Sequence, residues 1–328
     1  MPHPPVNLAF LGCGGVTRAH SRTLRRFRSA VRCFYASRDP SKAAEASQRF
    51  GGAGSFGSYT AALVDDRIDS VLVATPPDSH LELTLAALEQ GKNVIVEKPA
   101  FLRSADFASV RAAEARSGRR VLVAENYCYK PLACILRRIV ASGLLGELRF
   151  VELNAAKYQA PGGWRGDPVT GGSGALFEGG IHWIDLLANL GLRIEAVHGF
   201  RPGDWHAQER SMLVVAEYEE GAVGTLRHSW EIPSPLRGLR FSHIYGTRGS
   251  VSFESNGLFV ILTGQRPRLL FPGLRDLNGY YAMFRDFVAA LQTGTEPVMS
   301  LARAQRGLEL IEAAYQNVTA QPELASVR

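Results

Sequence analysis

An acid, an amine and a proline follow one another at Glu97-Lys98-Pro99, directly after the apolar run Val94-Ile95-Val96. The lysine stands at the end of a buried strand, where its amine is partly desolvated. Such an amine can take a proton from an alcohol or return one. The same three residues also read as an ordinary solvated turn. A second chemical pair stands in GGSGALFEGGIHWIDLLANLG, where Glu178 and His182 are four residues apart and Asp185 follows. That spacing puts carboxylate and imidazole on one face of a helix. There they can hold sugar hydroxyls and help move a proton. The spacing also suits metal ligation, but no third ligand has a clear spacing and no metal is expected. A histidine in so apolar a helix can equally be a satisfied core residue.

Near the start, FLGCGGVTRAH follows an apolar strand and opens a helix, the context that a dinucleotide fingerprint requires. Gly12 would make the tight turn, and the backbone of Cys13, Gly14, Gly15 and Val16 would approach a pyrophosphate at the helix N-terminus. The third glycine of the pattern is replaced by Thr17, whose Cβ and hydroxyl are expected to push the helix slightly off the strand. A plain structural turn is the competing reading. The end of the second strand reads YASRDPSKA. A site for NAD places a carboxylate there for the ribose hydroxyls, whereas Ser37, Arg38 and Lys42 would hold a 2′-phosphate by charge-assisted hydrogen bonds. Asp39 competes for the ribose, but Asp39-Pro40 also has the form of a helix cap. NADP(H) is therefore favoured, with NAD(H) possible.

The elements that must position these groups alternate from Val6 to about Ala124. VNLAFLG, AVRCFYAS, SVLVATP, NVIVEKP and RRVLVAENY read as strands, with helical stretches between them. Strands so separated form βαβ units and a parallel sheet, and their near-continuous apolar character indicates cover on both faces. After Pro131 the pattern changes to helix PLACILRRIVASG, strand LRFVELNAAKY, a glycine-rich segment, the Glu178–His182 helix and six strand-like runs with turns such as EEGA and SNG. This is the mark of an antiparallel meander. Two helices close the chain. The expected fold class is an N-terminal doubly wound parallel α/β sheet, residues 1–125, joined to a C-terminal α+β domain with an open antiparallel sheet, residues 126–328. The terminal helices are free to pack back on the first domain.

The chain has 328 residues, 46% hydrophobic and 21% charged, which is ordinary for a two-domain globular protein. Its formal charge of +6 is concentrated in TRAHSRTLRRFRSAVR, where Arg18, Arg22, Arg25, Arg26, Arg28 and Arg32 crowd together. A wet helix face accounts for the cluster, and attraction of a phosphorylated cofactor is its functional reading. Without interleaved aromatics or a known module it does not indicate nucleic acid. Cys13, Cys33, Cys128 and Cys134 show no CxxC spacing, so reduced thiols are expected. No secretory leader and no membrane span are expected, and the cytoplasm is the expected compartment.

The combination of GCGGVTRAH, ATPPDSHLELTLAALEQGKNVIVEKP, GGSGALFEGGIHWID and FRDFVAALQTGTEP resembles the Gfo/Idh/MocA oxidoreductase family over essentially the whole chain. The resemblance implies a Rossmann domain, an open sheet that forms homodimer or homotetramer interfaces, and hydride transfer between a nicotinamide cofactor and a sugar, polyol or related carbonyl compound. It implies Lys98 and His182 as catalytic residues, with Glu178 at a position where Asp is common. It further implies that Thr75, Pro76 and His80 line the cofactor's ribose and pyrophosphate. Glu97 and Asn126 would lie near the nicotinamide, and Trp164 and Arg165 would reach the cofactor from the second domain. The Lys98-Pro99 bond is implied to be cis. Tyr127 is a candidate for stacking on substrate. The alternative is a relative that binds NAD(P) as a sensor without turnover.

Overall fold

A computed structural model describes residues 3–160, 174–203, 208–234 and 238–318. The chain divides into two compact units, Met1–Asn126 with Gly279–Gln305, and Tyr127–Asn278 with Arg306–Arg328.

In the first unit β1 (Val6–Leu11), α1 (Gly15–Leu24), β2 (Val31–Ala36), α2 (Pro40–Phe50), β3 (Gly54–Phe56) and α3 (Tyr59–Leu63) form one half. The other half is β4 (Ser70–Val73), α4 (His80–Glu89), β5 (Asn93–Glu97), α5 (Asp106–Ser117) and β6 (Val121–Ala124). The sheet order is β3-β2-β1-β4-β5-β6, and every pair is parallel. This is the Rossmann order, with its switch point between β1 and β4. β4 and β6 are buried along their whole length, as strands covered on both faces must be. Helix ends follow local chemistry: Asp39 caps α2 with Pro40 at its first position, and Gly51 closes it at φ 69°. β3 and α3 were not anticipated from the sequence; at three and five residues they are too short to show a period.

The second unit begins with α6 (Pro131–Ala141) and β7 (Leu148–Ala156). A π-helical turn, Leu176–Gly180, runs straight into α7 (Ile181–Ala188). Then follow β8 (Ile194–Phe200), β9 (Ser211–Tyr218), β10 (Val223–Ser229), β11 (Phe241–Gly246), β12 (Gly249–Glu254), β13 (Val260–Gly264) and β14 (Arg268–Leu270). The open eight-stranded sheet has the order β14-β13-β12-β11-β7-β10-β9-β8. It departs from the expected meander at one place: β7 pairs in parallel with β10 and antiparallel with β11. β7 is inserted between two meanders whose adjoining strands run in opposite directions, so one of its two ladders has to be parallel. α7 and the π turn cover one face through β7 and β10. The other face leaves Phe150 and Phe241 about half exposed beside Leu213, Tyr245 and Ile261. The terminal helices are α8 (Tyr280–Thr293) and α9 (Leu301–Gln316). Among the described residues no helix is long and apolar enough to cross a membrane.

Gly12 is fixed twice over. Its φ is +110°, and a Cβ would lie 2.7 Å from the carbonyl oxygen of Ala74 at the end of β4. Gly15 has no atom within 4 Å of its Cβ position. Gly12→Ala is expected to cost about 1–3 kcal/mol and Gly15→Ala well under that, read from their urea unfolding midpoints. Equal midpoints would refute the strain at Gly12.

Candidate active site

Because all six strands of the first sheet are parallel, the segments after β1, β2, β4, β5 and β6 emerge at one edge. That edge carries Gly12–Val16, Ser37–Arg38, Thr75–Pro76, Lys98 and Asn126. Ligands of open α/β sheets bind beyond it. The opening of α1 fits a dinucleotide pyrophosphate. Its N-cap is Gly14, no side chain caps it, and no acidic residue stands in its first turn. The first amide groups of the helix therefore point outward with the positive end of the dipole. Neither Gly14 nor Gly15 has anything within 4 Å of its Cβ position. Thr17, at the third-glycine position, is buried, and its hydroxyl donates to the Gly12 carbonyl at 2.7 Å. The side chain thus braces the turn from below. Cys13 is half buried with its thiol toward Ala36 O, and burial raises its pKa.

Beyond β2, Ser37 is buried and its Oγ accepts the Asp39 amide at 3.1 Å. Asp39 Oδ1 accepts the Ser41 amide at 3.0 Å and the Ser41 hydroxyl at 2.6 Å. The Ser41 hydroxyl bond is the main reason the Asp39 carboxyl sits below its usual range. Lys42 Nζ lies 3.6 Å from the same carboxylate, and Arg38 is exposed beside Tyr59. Asp39 is thus committed to the cap of α2, with two cations at the same corner.

The Glu97-Lys98-Pro99 segment is held from both sides. Burial alone would raise the Glu97 carboxyl, but the His20 imidazole against Oε1 and the Lys98 amide, 3.1 Å from Oε2, hold it below its ordinary range. His20 is fully buried between the rings of Tyr280 and Phe284, each 5.1 Å away and edge-on. On the other side the Lys98–Pro99 peptide is cis. His80 Nδ1 faces Pro99 O at 2.9 Å, and its Nε2 faces Thr75 O at 2.9 Å. Burial lowers the pKa of His80, against the opposing pull of the backbone carbonyls that its two nitrogens face. The ring ties the end of β4 to the loop after β5. Glu97 and His80 therefore act as buried braces, whereas Lys98, Thr75 and Pro76 are partly exposed.

In the second unit His182 is half buried and stacks on Tyr127, with ring centroids 4.1 Å apart and planes within 10°. Trp183 meets the same tyrosine edge-on at 5.8 Å, and Lys130 Nζ stands 4.2 Å from its ring centre. Glu178 lies in the π turn and is buried. Its neighbours Gly179 and Gly180 let that turn sit on β10. A Cβ on Gly179 would come within 3.3 Å of His228 Nε2 and Trp230 Nε1, and one on Gly180 within 2.6 Å of Leu176 Cδ1. His228 is driven by burial, and further by Lys157, down to a pKa of about 3. A buried Glu209 anchors the start of the turn: Oε2 accepts the Leu176 amide at 2.9 Å and the Tyr315 hydroxyl at 3.0 Å. Asp185, expected beside His182, is buried and accepts a hydrogen bond from Asn189.

The structure thus gathers Gly12, Cys13, Gly14, Gly15, Val16, Ser37, Arg38, Lys42, Thr75, Pro76, His80, Glu97, Lys98 and Asn126 in the first unit. It gathers Tyr127, Glu178 and His182 in the second. Trp164 and Arg165 lie outside the described residues. Sequence reasoning missed His20, whose only signal was its place two turns of helix past the glycine loop, and also Lys130, Glu209 and His228. Among the described residues no group of three or more His, Cys, Asp or Glu could hold a metal ion.

Residues 6–125 match a family model described as an oxidoreductase family with an NAD-binding Rossmann fold, and residues 135–252 match the GFO/IDH/MocA C-terminal domain. The chain is 26% identical over 311 residues to 4-carboxy-2-hydroxymuconate-6-semialdehyde dehydrogenase of Sphingobium sp., covering 91% of this chain and 94% of that protein. It is 28% identical over 287 residues to levoglucosan dehydrogenase of Pseudarthrobacter phenanthrenivorans, covering 76% of this chain and 73% of that one. A solved levoglucosan dehydrogenase in complex with NADH and levoglucosan has the same fold. Its TM-score is 0.85 at 22% identity, with 95% of this chain and 97% of that chain covered.

A folded-state pKa of Glu97 below the unfolded value has a defined consequence for stability. Its contribution is present above the unfolded pKa and is lost as pH falls through the folded one. Glu97→Gln should therefore lower the urea midpoint most near pH 7, with the gap to wild type closing below about pH 4. A gap that stays constant with pH would show that charge at Glu97 contributes nothing.

Proposed function

Because this chain belongs to the Gfo/Idh/MocA oxidoreductase family, we propose that it is an NADP(H)-dependent enzyme acting on a CH–OH group of a sugar, polyol or related keto or hydroxy compound. The observation that carries the reading is the placement of Lys98. It stands at the carboxyl edge of β5 on backbone fixed by the Glu97–His20 pair on one side and by His80 on the other. A nicotinamide dinucleotide, when bound, accepts or gives a hydride at the substrate carbon. Lys98 takes the hydroxyl proton during oxidation and returns it during reduction. His182, oriented by its stack on Tyr127, serves the same proton, and Glu178 and Tyr127 position the remaining hydroxyls. The first domain, residues 1–125, holds the cofactor through the open amides of α1. The second, which carries Tyr127, Glu178 and His182, binds substrate and assembles a homodimer or homotetramer through the exposed face with Phe150 and Tyr245; sedimentation velocity reads that state directly.

Support for NADP(H) lies at the α2 corner, where Asp39 is taken up by the cap and by an exposed pair with Lys42, and where Ser37, Arg38 and Lys42 would turn to a 2′-phosphate. The named complex of levoglucosan dehydrogenase with NADH makes NADH the competing outcome. A sensor without turnover is the second reading; retention of both Lys98 and His182 argues against it, since a sensor needs neither.

Fluorescence titration is expected to show NADPH binding about tenfold or more tighter than NADH, with the difference abolished in Arg38→Glu/Lys42→Glu. NADH binding as tight or tighter would refute the cofactor assignment and leave the proton chemistry standing. With a ketose and polyol panel, Lys98→Ala should lower kcat about 100-fold or more. Near wild-type turnover in that variant would remove Lys98 from the mechanism. Tight NADPH binding with no turnover across the panel would favour the sensor.

A further inference from the structure

Arg18 of the arginine cluster lies in the first turn of α1, but Arg25, Arg26, Arg28 and Arg32 do not stand at the cofactor edge. α1 starts at the carboxyl edge and runs back for ten residues, about 15 Å. Its C-terminal end, the 3-10 turn Arg25–Phe27 and the start of β2 therefore lie at the opposite, amino edge of the sheet. There a cavity of about 450 Å³ opens between the ends of α1 and α2 and the β2 strand, within the size range of small-molecule sites. Arg25, Arg28 and Arg32 line it, all three exposed. Among the described residues none of them has an ion pair or side-chain hydrogen bond. No acidic residue occurs before Asp39, so no carboxylate in this stretch answers them. By contrast Arg26, which does not line the cavity, lies 3.9 Å from the centre of the Tyr281 ring.

The floor is of the opposite character. Leu24, Val31 and Phe50 are buried there. Burial pushes the Cys33 thiol up to about 12, so it is a neutral, apolar surface. The Tyr35 hydroxyl, also on the floor, is used up on Ser21 Oγ at 3.0 Å. Three unanswered guanidinium groups around an uncharged floor match a ligand with an anionic head and an apolar body. The head would accept forked hydrogen bonds, and the body would leave water for the floor.

We propose that this cavity is a second binding site, distinct from the cofactor edge, for a small amphipathic carboxylate with its head on Arg25, Arg28 and Arg32. The test is calorimetric titration of the full chain with octanoate, octanol and inorganic phosphate, each with and without saturating NADPH. Octanoate should bind, and octanol, lacking the charge, and phosphate, lacking the tail, should each bind about tenfold or more weakly. NADPH should leave octanoate binding unchanged. Arg28→Gln/Arg32→Gln changes exposed residues only and should weaken octanoate about tenfold or more at unchanged melting temperature. Ala53→Leu, which fills the cavity from its rim, should weaken it independently of charge. The proposal is overturned if octanoate does not bind, if octanol binds equally, if phosphate alone binds equally, if NADPH displaces octanoate, or if both variants bind like wild type.

Discussion

A buried carboxylate sits at the edge where the parallel sheet meets its ligand side, and the first unit is arranged around its neutralisation. Glu97 is buried at the end of β5, where an unanswered charge would be too costly to keep. His20, reaching from α1 across a separation of 77 residues, supplies the answer. To stand there the imidazole must itself be enclosed, and Tyr280 and Phe284 of α8 enclose it. One contact therefore ties the glycine-loop helix, the strand bearing Lys98 and a terminal helix into a single constraint. Within Glu97-Lys98-Pro99 the acid is thus the anchor, and the amine beside it is left partly exposed.

The second unit solves a related problem with small residues. The helix that carries Glu178 and His182 has to lie close on β10, and Gly179 permits that approach, since a Cβ there would come within 3.3 Å of His228 and Trp230. Close packing alone would leave the first amides of the π turn buried without partners. Glu209 meets one of these through its side chain and another through its own carbonyl, which accepts the Ala175 amide. Burial raises the Glu209 carboxyl, and Tyr315 from α9 donates to it. Both units thus use a buried glutamate to fix the backbone next to a partly exposed group that can carry a proton.

Local features were legible in the sequence, and features set by distant packing were not. The glycine loop, the α2 cap and the Glu-Lys-Pro turn announce themselves because glycine, proline and capping residues act within a few positions. The strands of the first sheet were legible because burial on both faces leaves apolar runs. β3 escaped because three half-exposed residues carry no pattern. The parallel β7–β10 ladder escaped because strand order is decided by which meander closes on which side of β7. His20 and Glu209 were invisible for the same reason: their partners lie 77 and 106 residues away. The backbone partners of His80 were equally hidden: its two ring nitrogens are directed at the carbonyls of Pro99 and Thr75.

The charge pattern of α1 separates its arginines from its open N-terminus. A helix that must leave its first amides open to an anion cannot carry acids in its first turn, and α1 has none. The negative end of its dipole, at the C-terminus, is complemented by Arg22 in the last turn and by Arg25 and Arg26 just beyond. In sequence these residues follow the glycine loop so closely that they look like part of one phosphate site. In space a full helix separates them from it, and their charge is directed to the amino edge of the sheet. The same helix therefore presents two anion-attracting ends with different physical origins. Backbone dipoles and open amides act at one end, and guanidinium side chains over an apolar floor act at the other.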